Sequence, residues 1–555
     1  MFHHLNRVRQ EPIHCRSRKG SKVSEAYDFD FIVIGSGFGG SVSAMRLSEK
    51  GYSVCVLERG RRYRAEDFPK TNWNLRRFLW APKMKLLGIQ VITLFKNILI
   101  LSGSGVGGGS LNYGNVLMEP GDAFYNAESW KGLRNWKETL APCYAEAKRM
   151  LGVVKNPRST VADETLLDVA RGMGRDRTFR MLDVGVFFGE PEKTVPDPYF
   201  GGGGPDRAGC NFCGGCMVGC RYNAKNTLDK NYLHFAEKNG TKIVPDAQVY
   251  DILPIQEGKE GYTVLFQDPS AWLTKSKRRL TARSVVVAAG ALGTVDLLLR
   301  CKEINRSLPK LSAQLGRNAR TNSETLLGVT TRDKSINFSE GVGITSGFYP
   351  DDVTYIEPVR YPEGSSFMKL VAGPLTEGRS RLTRAVKFIA NIFLHPLDSF
   401  HLIFHLNWAR SSIIFLVMQT VDTRLHFSIK RSMPPFPGAK LVTTPDKGKR
   451  ISAYIQIGYD VAKRFSKKVK GIPQSTITEA VLNIPATAHI LGGCVIGKDP
   501  ARGVVDEDCR VFGYDNLYVV DGSVIPANLG VNPSLTITAL AEHAMKGIKE
   551  KEQSA

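Results

Sequence analysis

The 555-residue sequence has no long uninterrupted run of apolar residues. A transmembrane helix needs about 20 of them, and polar or charged residues interrupt the two most apolar stretches, 86–101 and 388–421. The N-terminal segment is basic but has no apolar region of the kind found in secretory signals. We therefore expect a cytoplasmic protein without a membrane-spanning helix, whose residues 1–26 form a solvated, disordered tail.

Acidic residues are scarce relative to basic ones. The chain has 53 Asp and Glu against 75 Lys and Arg, a net charge of +22. Such a charge favours nucleic acid, an anionic membrane or an acidic protein as a partner. The sequence contains no nucleic-acid recognition module, so we expect no nucleic acid. The basic run between Lys430 and Lys470 is either a solvated face or a peripheral contact with anionic lipid beside 388–421.

Cysteines that could form a disulfide framework are also few. Six of the ten lie singly, as is typical of a reduced compartment, and the other four are Cys210, Cys213, Cys216 and Cys220. Their spacing, C-x2-C-x2-C-x3-C, is that of a ferredoxin iron–sulfur loop. Arg221 replaces the usual following proline, and no second run exists. Either the loop binds a cluster through which electrons leave, or it is an accessory loop without metal.

Residues 28–60 predict a dinucleotide-binding unit. An apolar strand leads into Gly35, Gly37 and Gly40, and a helix and a second strand ending in Glu58 follow. In such a turn the glycines allow a tight bend, close approach to a pyrophosphate and close packing of helix on strand. Glu58, eighteen residues after Gly40, is expected to hydrogen-bond a ribose.

Segments far apart in the sequence are expected to complete the same cofactor site. A second glycine-rich loop, 101–116, suits a backbone wrapped around a flat ring system, which favours FAD over NAD. A strand crosses near 249, another runs into a glycine turn at 290, and a third ends at 521 before a helix that begins at 532–533. The predicted contacts from these segments are Gly107, Gly108, Ser110, Asn112, Asn115, Val249, Gly290, Asp521, Gly522, Asn532 and Pro533.

These motifs resemble the glucose–methanol–choline (GMC) oxidoreductases, which are FAD enzymes that oxidise alcohols. The resemblance is carried by "GSGVGGGSLNYGNV", "VVVAAGALGT" and a histidine followed some forty residues later by "NPS". Within the family, "GVGGGSLNYGNV" and the cysteine loop followed by "AKNTLDKNYL" are most similar to the cholesterol oxidase branch. The resemblance implies an apolar small-molecule substrate, a sterol above all.

The resemblance also implies a division of the chain. We expect an α/β fold with a Rossmann-like FAD-binding domain built from discontinuous segments, and an α+β substrate domain with a β-sheet and helices. The expected boundaries are 27–119, 206–300 and 486–549 for the first domain, and 120–205 and 301–485 for the second.

The resemblance places two catalytic residues, His489 and Asn532. A neutral histidine can accept the hydroxyl proton of an alcohol near physiological pH, and the asparagine would orient the substrate oxygen. Glu357 and Glu363 are candidates for a family glutamate that moves a proton in double-bond isomerisation, and neither is assigned. His401 and His405 lack acidic or cysteine partners, so we expect a helix face and no metal site.

Three functions remain open from the sequence. The first is oxidation of a 3β-hydroxysteroid such as cholesterol to the ketone by hydride transfer to FAD, with O2 as one acceptor. The second is a dehydrogenase of a sugar or other alcohol that passes electrons to an iron–sulfur cluster or a quinone. The third is a flavin electron-carrier module for a protein partner.

The helical spacing of apolar residues in 86–101 predicts an amphipathic helix. This helix would lie on a membrane, line a substrate tunnel or pack on the core.

Overall fold

The computed structural model describes residues 27–271, 276–378, 380–432 and 438–552. The predicted basic tail, 1–26, lies outside these residues. The helices are α1 (Phe38–Glu49), α2 (Leu75–Phe78), α3 (Asp122–Tyr125), α4 (Trp136–Met150), α5 (Val161–Arg171), α6 (Tyr232–Lys238), α7 (Ala291–Glu303), α8 (Arg381–Leu394), α9 (Pro396–Phe404), α10 (Trp408–Ser411), α11 (Gln456–Lys468), α12 (Ile477–Leu482) and α13 (Ser534–Lys546).

The strands are mostly short, and the longest belong to two large sheets. In chain order they are β1 (Phe29–Ile34), β2 (Val54–Leu57), β3 (Trp80–Ala81), β4 (Leu86–Leu87), β5 (Gln90–Leu94), β6 (Leu99–Gly103), β7 (Val154–Lys155), β8 (Arg180–Met181), β9 (Asp183–Val184), β10 (Thr194–Val195), β11 (Arg207–Ala208), β12 (Lys242–Val244), β13 (Gln248–Pro254), β14 (Tyr262–Gln267), β15 (Arg278–Val287), β16 (Thr325–Thr331), β17 (Ser346–Gly347), β18 (Thr354–Val359), β19 (Ala372–Pro374), β20 (Ser412–Gln419), β21 (Leu425–Ser432), β22 (Gly438–Pro445), β23 (Gly471–Thr476), β24 (Ala486–Thr487) and β25 (Leu517–Val519).

The first large sheet has seven strands drawn from three distant parts of the chain. Its order is β12-β2-β1-β15-β14-β13, and β25 pairs with β15. β12, β2, β1, β15 and β25 run parallel, whereas β13 and β14 extend the sheet as an antiparallel pair. Parallel strands buried on both faces read as continuous apolar runs, and "VCVL" of β2 is fully buried. The predicted Rossmann-like fold from discontinuous segments is confirmed.

Two glycines at the start of α1 allow this helix to pack against the sheet. A Cβ added at Gly39 would lie 1.7 Å from the carbonyl oxygen of Val520, and one at Gly40 would lie 2.0 Å from that of Gly35. Neither position has room for a side chain. The N-terminus of α1 is therefore held against the carboxyl ends of β1 and β25.

The second large sheet is antiparallel, with the order β18-β20-β16-β23-β19. Helix α11 packs on it through Tyr459, Val461 and Phe465, all buried in one apolar cluster with residues of β16 and β20. Helices and an antiparallel sheet are what the α+β prediction required, so that prediction is confirmed. The exact domain boundaries stay a prediction.

The prediction of an amphipathic helix in 86–101 is wrong. Residues 90–103 form an antiparallel hairpin of β5 and β6, which the backbone N–H of Phe95 closes by donating to the carbonyl of Ile98 at 2.8 Å. The segment holds consecutive β-branched residues at Val91, Ile92 and Thr93, and these favour a pleated strand over a helix. Among the described residues, none of the helices is both long and apolar enough to cross a bilayer.

The close contact at Gly40 gives a test of this packing. We expect Gly40→Ala to lower the free energy of unfolding by about 1–3 kcal/mol, because the added methyl group overlaps the backbone of Gly35. Denaturant titration of the purified protein measures the effect. Gly172 is the matched control: its backbone is helical, and an added Cβ would make only ordinary contacts at 3.5 Å. Gly172→Ala should leave stability unchanged or slightly raised, and equal effects of the two substitutions would contradict the packing argument.

Candidate active site

His489 lies in the loop after β24, next to a buried carboxylate. Its Nδ1–H donates to Oε1 of Glu324, since a carboxylate can only accept. The second oxygen of Glu324 accepts the backbone N–H of Ala488 at 2.8 Å, and Glu324 is fully buried at the start of β16. These bonds fix the imidazole orientation and tautomer. Nε2 is thereby left as the basic nitrogen.

A second buried carboxylate lies beside the other predicted catalytic residue. Nδ2 of Asn532 donates to Oε2 of Glu357 at 3.2 Å, and both residues are buried. Oε1 of Glu357 and Oδ1 of Asn532 have no hydrogen-bond partner within the described chain. Buried polar atoms are nearly always paired, so these two atoms indicate a place where a ligand completes the contacts.

The environments of His489 and Glu357 raise both of their pKa values. Burial lowers the pKa of His489, but the Glu324 carboxylate, with a smaller contribution from Glu357, more than offsets this and raises it above its ordinary value. Burial raises the pKa of Glu357 to about 8, against the opposing effects of Asn532 and His489. A histidine and a glutamate whose pKa values are both raised are thus brought to one place.

The loop that carries Asn532 is held by amide side chains from the segment before β16. Nδ2 of Asn322 donates to the carbonyl of Val531 at 2.9 Å, and its Oδ1 accepts the backbone N–H of Gly530 at 2.7 Å. Oδ1 of Asn528 accepts the N–H of Asn322 at 3.0 Å in return. The segment that supplies Glu324 therefore also positions Asn532.

The glycine-rich segments form an open cradle at the carboxyl ends of the parallel strands. An added Cβ at Gly108 would lie 2.5 Å from Cα of Gly37, so the first and second glycine loops are in contact. At Gly37, Gly109 and Gly290, an added Cβ would meet nothing within 4 Å. Bare backbone facing open space at the N-termini of α1 and α7 suits a diphosphate, so these residues fit a bound dinucleotide.

The other predicted cofactor residues divide into those free for a ligand and those engaged within the chain. The buried amide of Asn115 makes no hydrogen bond to oxygen or nitrogen of the described chain. Glu58, at the end of β2, accepts bonds from Ser36, Gly60 and Gly105. The remaining engaged groups are Ser110 with Gly107 and Leu228, Asn112 with Gln90 and Ser102, and Asp521 with Ser523 and Thr294.

The expected residues from the sheet and the last helix lie on the edge strand β13, after β25 and before α13. Val249 is half-buried on β13, beside a β-bulge, and Gly522 follows β25. The predicted helix start is one residue early: α13 begins at Ser534 with Pro533 in the capping position. Asn532 does not cap it: no side chain accepts a bond at this helix start, and Nδ2 of Asn532 donates to Glu357.

The structure does not support an iron–sulfur cluster on the cysteine loop. Within the described ranges, no group of three or more His, Cys, Asp or Glu could hold a metal ion, and this includes the four cysteines of 210–220. Cys216 instead accepts a hydrogen bond from the backbone of Gly343 at 3.2 Å.

A buried lysine ties the cysteine loop to the second glycine loop. Nζ of Lys225 donates to the carbonyls of Leu111, Tyr113 and Cys216 at 3.1, 2.9 and 2.8 Å. Burial lowers the pKa of this ammonium to about 7. Because an ammonium has three N–H groups, all of its donors are satisfied inside the protein.

Sequence reasoning missed Glu324 and left Glu357 unassigned. Both are single acidic residues next to or within apolar strand sequence, "ETLLGV" and "TYIEPV", and every residue of β18 is buried. Burial of an isolated carboxylate is costly, so an acid in such a strand is a signal of function. Glu363, the other candidate, is exposed and lies 3.8 Å from Arg410.

Comparison with known proteins agrees with this geometry. Residues 204–318 and 448–541 match the GMC oxidoreductase family, and 33–72 match an NAD(P)-binding Rossmann-like domain. The chain is 46% identical to a cholesterol oxidase from Acinetobacter baumannii, with 95% of each chain covered. It is 44% identical to a cholesterol oxidase from Mycobacterium tuberculosis, covering 93% of this chain and 90% of that one.

A solved structure shows the same fold at greater distance. Pyridoxine 4-oxidase from Mesorbium loti superposes with a TM-score of 0.58 at 16% identity, over 93% of this chain and 98% of that one. The family matches, the identity to curated relatives over nearly the whole chain and the glycine cradle all agree. The chain belongs to the GMC oxidoreductase family, and it is an FAD-dependent oxidoreductase that acts on CH–OH groups.

Proposed function

We propose that the protein oxidises a 3β-hydroxysteroid such as cholesterol to the ketone and uses O2 as the acceptor of electrons. The observation that carries the proposal is the pairing of two proton-exchanging groups, the partly buried His489 and the fully buried Glu357, around Asn532. Oxidation of an alcohol needs one such group. A second is needed when the product is a β,γ-unsaturated ketone whose double bond must move, as in the oxidation of a 5-ene steroid. The high identity to two cholesterol oxidases supports the same substrate.

The glycine cradle would hold FAD. Gly35, Gly37 and Gly40, the loop of Gly107 and Gly108, and the turn at Gly290 would contact its phosphates and ring system through backbone atoms. We also assign to this contact surface Glu58, Ser110, Asn112, Asn115, Val249, Asp521, Gly522, Asn532 and Pro533. Bound FAD supplies the acceptor for the hydride that leaves the carbinol carbon.

His489 would accept the hydroxyl proton of the substrate at Nε2. Glu324 accepts the hydrogen bond from Nδ1–H and stabilises the imidazolium that forms. As the O–H proton moves to Nε2, the C–O single bond becomes the double bond of the carbonyl. Nδ2 of Asn532 has two N–H groups, of which one donates to Glu357, so the other would donate to the substrate oxygen and orient it.

Glu357 would move the double bond of the resulting ketone. Its unpartnered Oε1 can take a proton from the carbon between the carbonyl and the double bond, and return it at the far end of that double bond. No net proton is consumed. The carboxylate form is required, and because the pKa is about 8 this form predominates only above that pH.

The substrate assignment is tested with the purified holoprotein in air. We expect cholesterol to give one hydrogen peroxide per ketone formed. Its 3α-hydroxy epimer should react at least about tenfold more slowly, because its carbinol hydrogen points away from the hydride acceptor. Peroxide and ketone are measured together. Turnover only with a dye acceptor would exclude the oxidase, and faster turnover of a sugar would favour the dehydrogenase of the second hypothesis.

Glu357→Gln separates isomerisation from oxidation. We expect the isomerisation rate to fall by about 100-fold or more while alcohol oxidation is largely kept, because the amide cannot carry the proton. In the unsubstituted protein, isomerisation of added 5-ene-3-ketone should rise with pH through about 8, as Glu357 loses its proton. The exposed Glu363→Gln is the matched control and should change neither rate. Full isomerisation by Glu357→Gln would refute the assignment.

Glu324→Gln tests the positioning role of Glu324. Loss of the carboxylate lowers the pKa of His489, so the acidic limb of the pH profile for alcohol oxidation should move to lower pH. We also expect kcat to fall by about 10- to 100-fold, since the imidazolium is no longer stabilised. Rates across the pH range, with the flavin content checked by absorbance, measure both effects. A lower rate with an unmoved limb would mean that Glu324 only supports the fold.

A further inference from the structure

Helix α8 exposes its apolar face and buries a charged residue, which is the opposite of a helix packed on a protein core. Its one buried residue is Arg384, whereas Leu382, Val386, Ile389 and Phe393 are between 56% and 78% exposed. Exposure of large apolar side chains on one helix face while a guanidinium is buried opposes the hydrophobic effect. The outer face of α8 therefore requires an apolar partner.

Polar bonds hold α8 in this orientation. Nη1 of Arg384 donates to the carbonyl of Ala453 at 3.0 Å and to Oδ1 of Asn483 at 3.1 Å, and Nη2 donates to the hydroxyl of Tyr459 at 2.7 Å. About two helical turns further on, Nδ2 of Asn391 donates to the carbonyl of Leu375 at 3.0 Å. These hydrogen bonds on the inner face of α8 fix the helix with its apolar side facing outward.

Helix α9 continues the same apolar surface. Ten of the twenty exposed large apolar side chains in the described residues fall within 382–406. Six of them, on α9 and at its ends, are between 55% and 84% exposed: Leu394, Leu397, Phe400, Ile403, Phe404 and Leu406. A pocket of about 330 Å3 is lined by Phe400, His401, Phe404, His405, Leu406 and Asn407. Soluble monomers rarely expose contiguous apolar patches of this kind unless the patch binds something.

Free cations surround this apolar surface. Arg381 and Lys387 on α8 are exposed, and no carboxylate of the described chain lies within salt-bridge distance of either. Trp73 contacts the ring of Phe367 in the segment before β19, which packs against α9. Exposed Trp73 thus extends the surface, and the exposed Arg76, Lys83, Met84 and Lys85 follow it closely in the sequence.

The charges decide between the occupants of the surface. The one acidic residue of 381–406 is Asp398, and it is paired with Arg332. A second copy of this chain would bring cations against cations. The N-terminal 26 residues are themselves basic, with six Lys and Arg against two Glu, and have few apolar side chains. A bilayer with anionic headgroups matches both the apolar face and its cationic rim.

We propose that the surface formed by α8 and α9, with Trp73 and Met84, inserts into the interface of an anionic phospholipid bilayer. The apolar side chains enter the boundary between headgroups and acyl chains, while Arg381, Lys387 and the cations of 76–85 contact lipid phosphates. Helix α8 packs on α12, and α12 is followed within seven residues by His489. Docking therefore presents the catalytic side of the protein to the membrane. The proposal is independent of which alcohol is oxidised.

Vesicle flotation of the full-length holoprotein tests the proposal. We expect it to float with phosphatidylcholine–phosphatidylserine vesicles and less with phosphatidylcholine alone. Phe393→Gln with Phe400→Gln should weaken binding by about 100-fold, because each of the two buried rings contributes about one decade of affinity. Arg381→Glu with Lys387→Glu should reduce binding only to the serine-containing vesicles.

Control variants distinguish membrane insertion from a general loss of surface hydrophobicity. Val154→Gln with Leu253→Gln removes two exposed apolar side chains elsewhere and should leave flotation unchanged. All variants should keep turnover of a detergent-solubilised alcohol, which shows that they fold and bind FAD. Absence of flotation, or equal flotation of the double phenylalanine variant, would overturn the proposal. Self-association that this variant abolishes would identify a second copy of the chain as the occupant instead.

Discussion

The contact between Glu324 and His489 joins the two halves of the molecule. Glu324 stands at the start of the antiparallel sheet, and His489 lies on the segment that returns to the parallel sheet. Burial of a carboxylate is costly without a partner, and the imidazole N–H and the backbone of Ala488 supply partners here. Because Asn322, two residues earlier, also holds the loop of Asn532, one short segment sets the geometry of both proposed catalytic residues.

The parts of the fold that were predicted are those where the local sequence and the tertiary packing favour the same backbone structure. The glycines of α1 are an example, since a methyl group at Gly40 would overlap backbone and the sequence pattern records that constraint directly. His489 and Asn532 were found through resemblance, not through periodicity. The hairpin of β5 and β6 was missed because helical spacing of Leu87, Val91 and Phe95 coincided with a strand sequence, and pairing with distant residues such as Ala486 decided the outcome.

The apolar strand sequence around Glu357 indicates a buried acid, but the sequence does not show which groups this acid meets. In the structure Glu357 is fully buried beside Asn532, whereas Glu363 is exposed near Arg410. The same residue type thus acquires a pKa near 8 in one position, while in the other it is a surface carboxylate. The orientation of α8 likewise depends on tertiary contacts, because the bonds of Arg384 determine which side of the helix faces outward.

Lys225 has a consequence for how this structure can open. One ammonium connects the backbone of the second glycine loop with that of the cysteine loop, so neither loop can move away from the other without breaking these bonds. Local opening there must break three charge-assisted hydrogen bonds at once and leave the ammonium stranded in an apolar interior. Such cooperative units exchange their amide hydrogens slowly and together. Opening of the cysteine loop therefore also disturbs the second glycine loop, which carries Gly107 and Gly108 of the cradle.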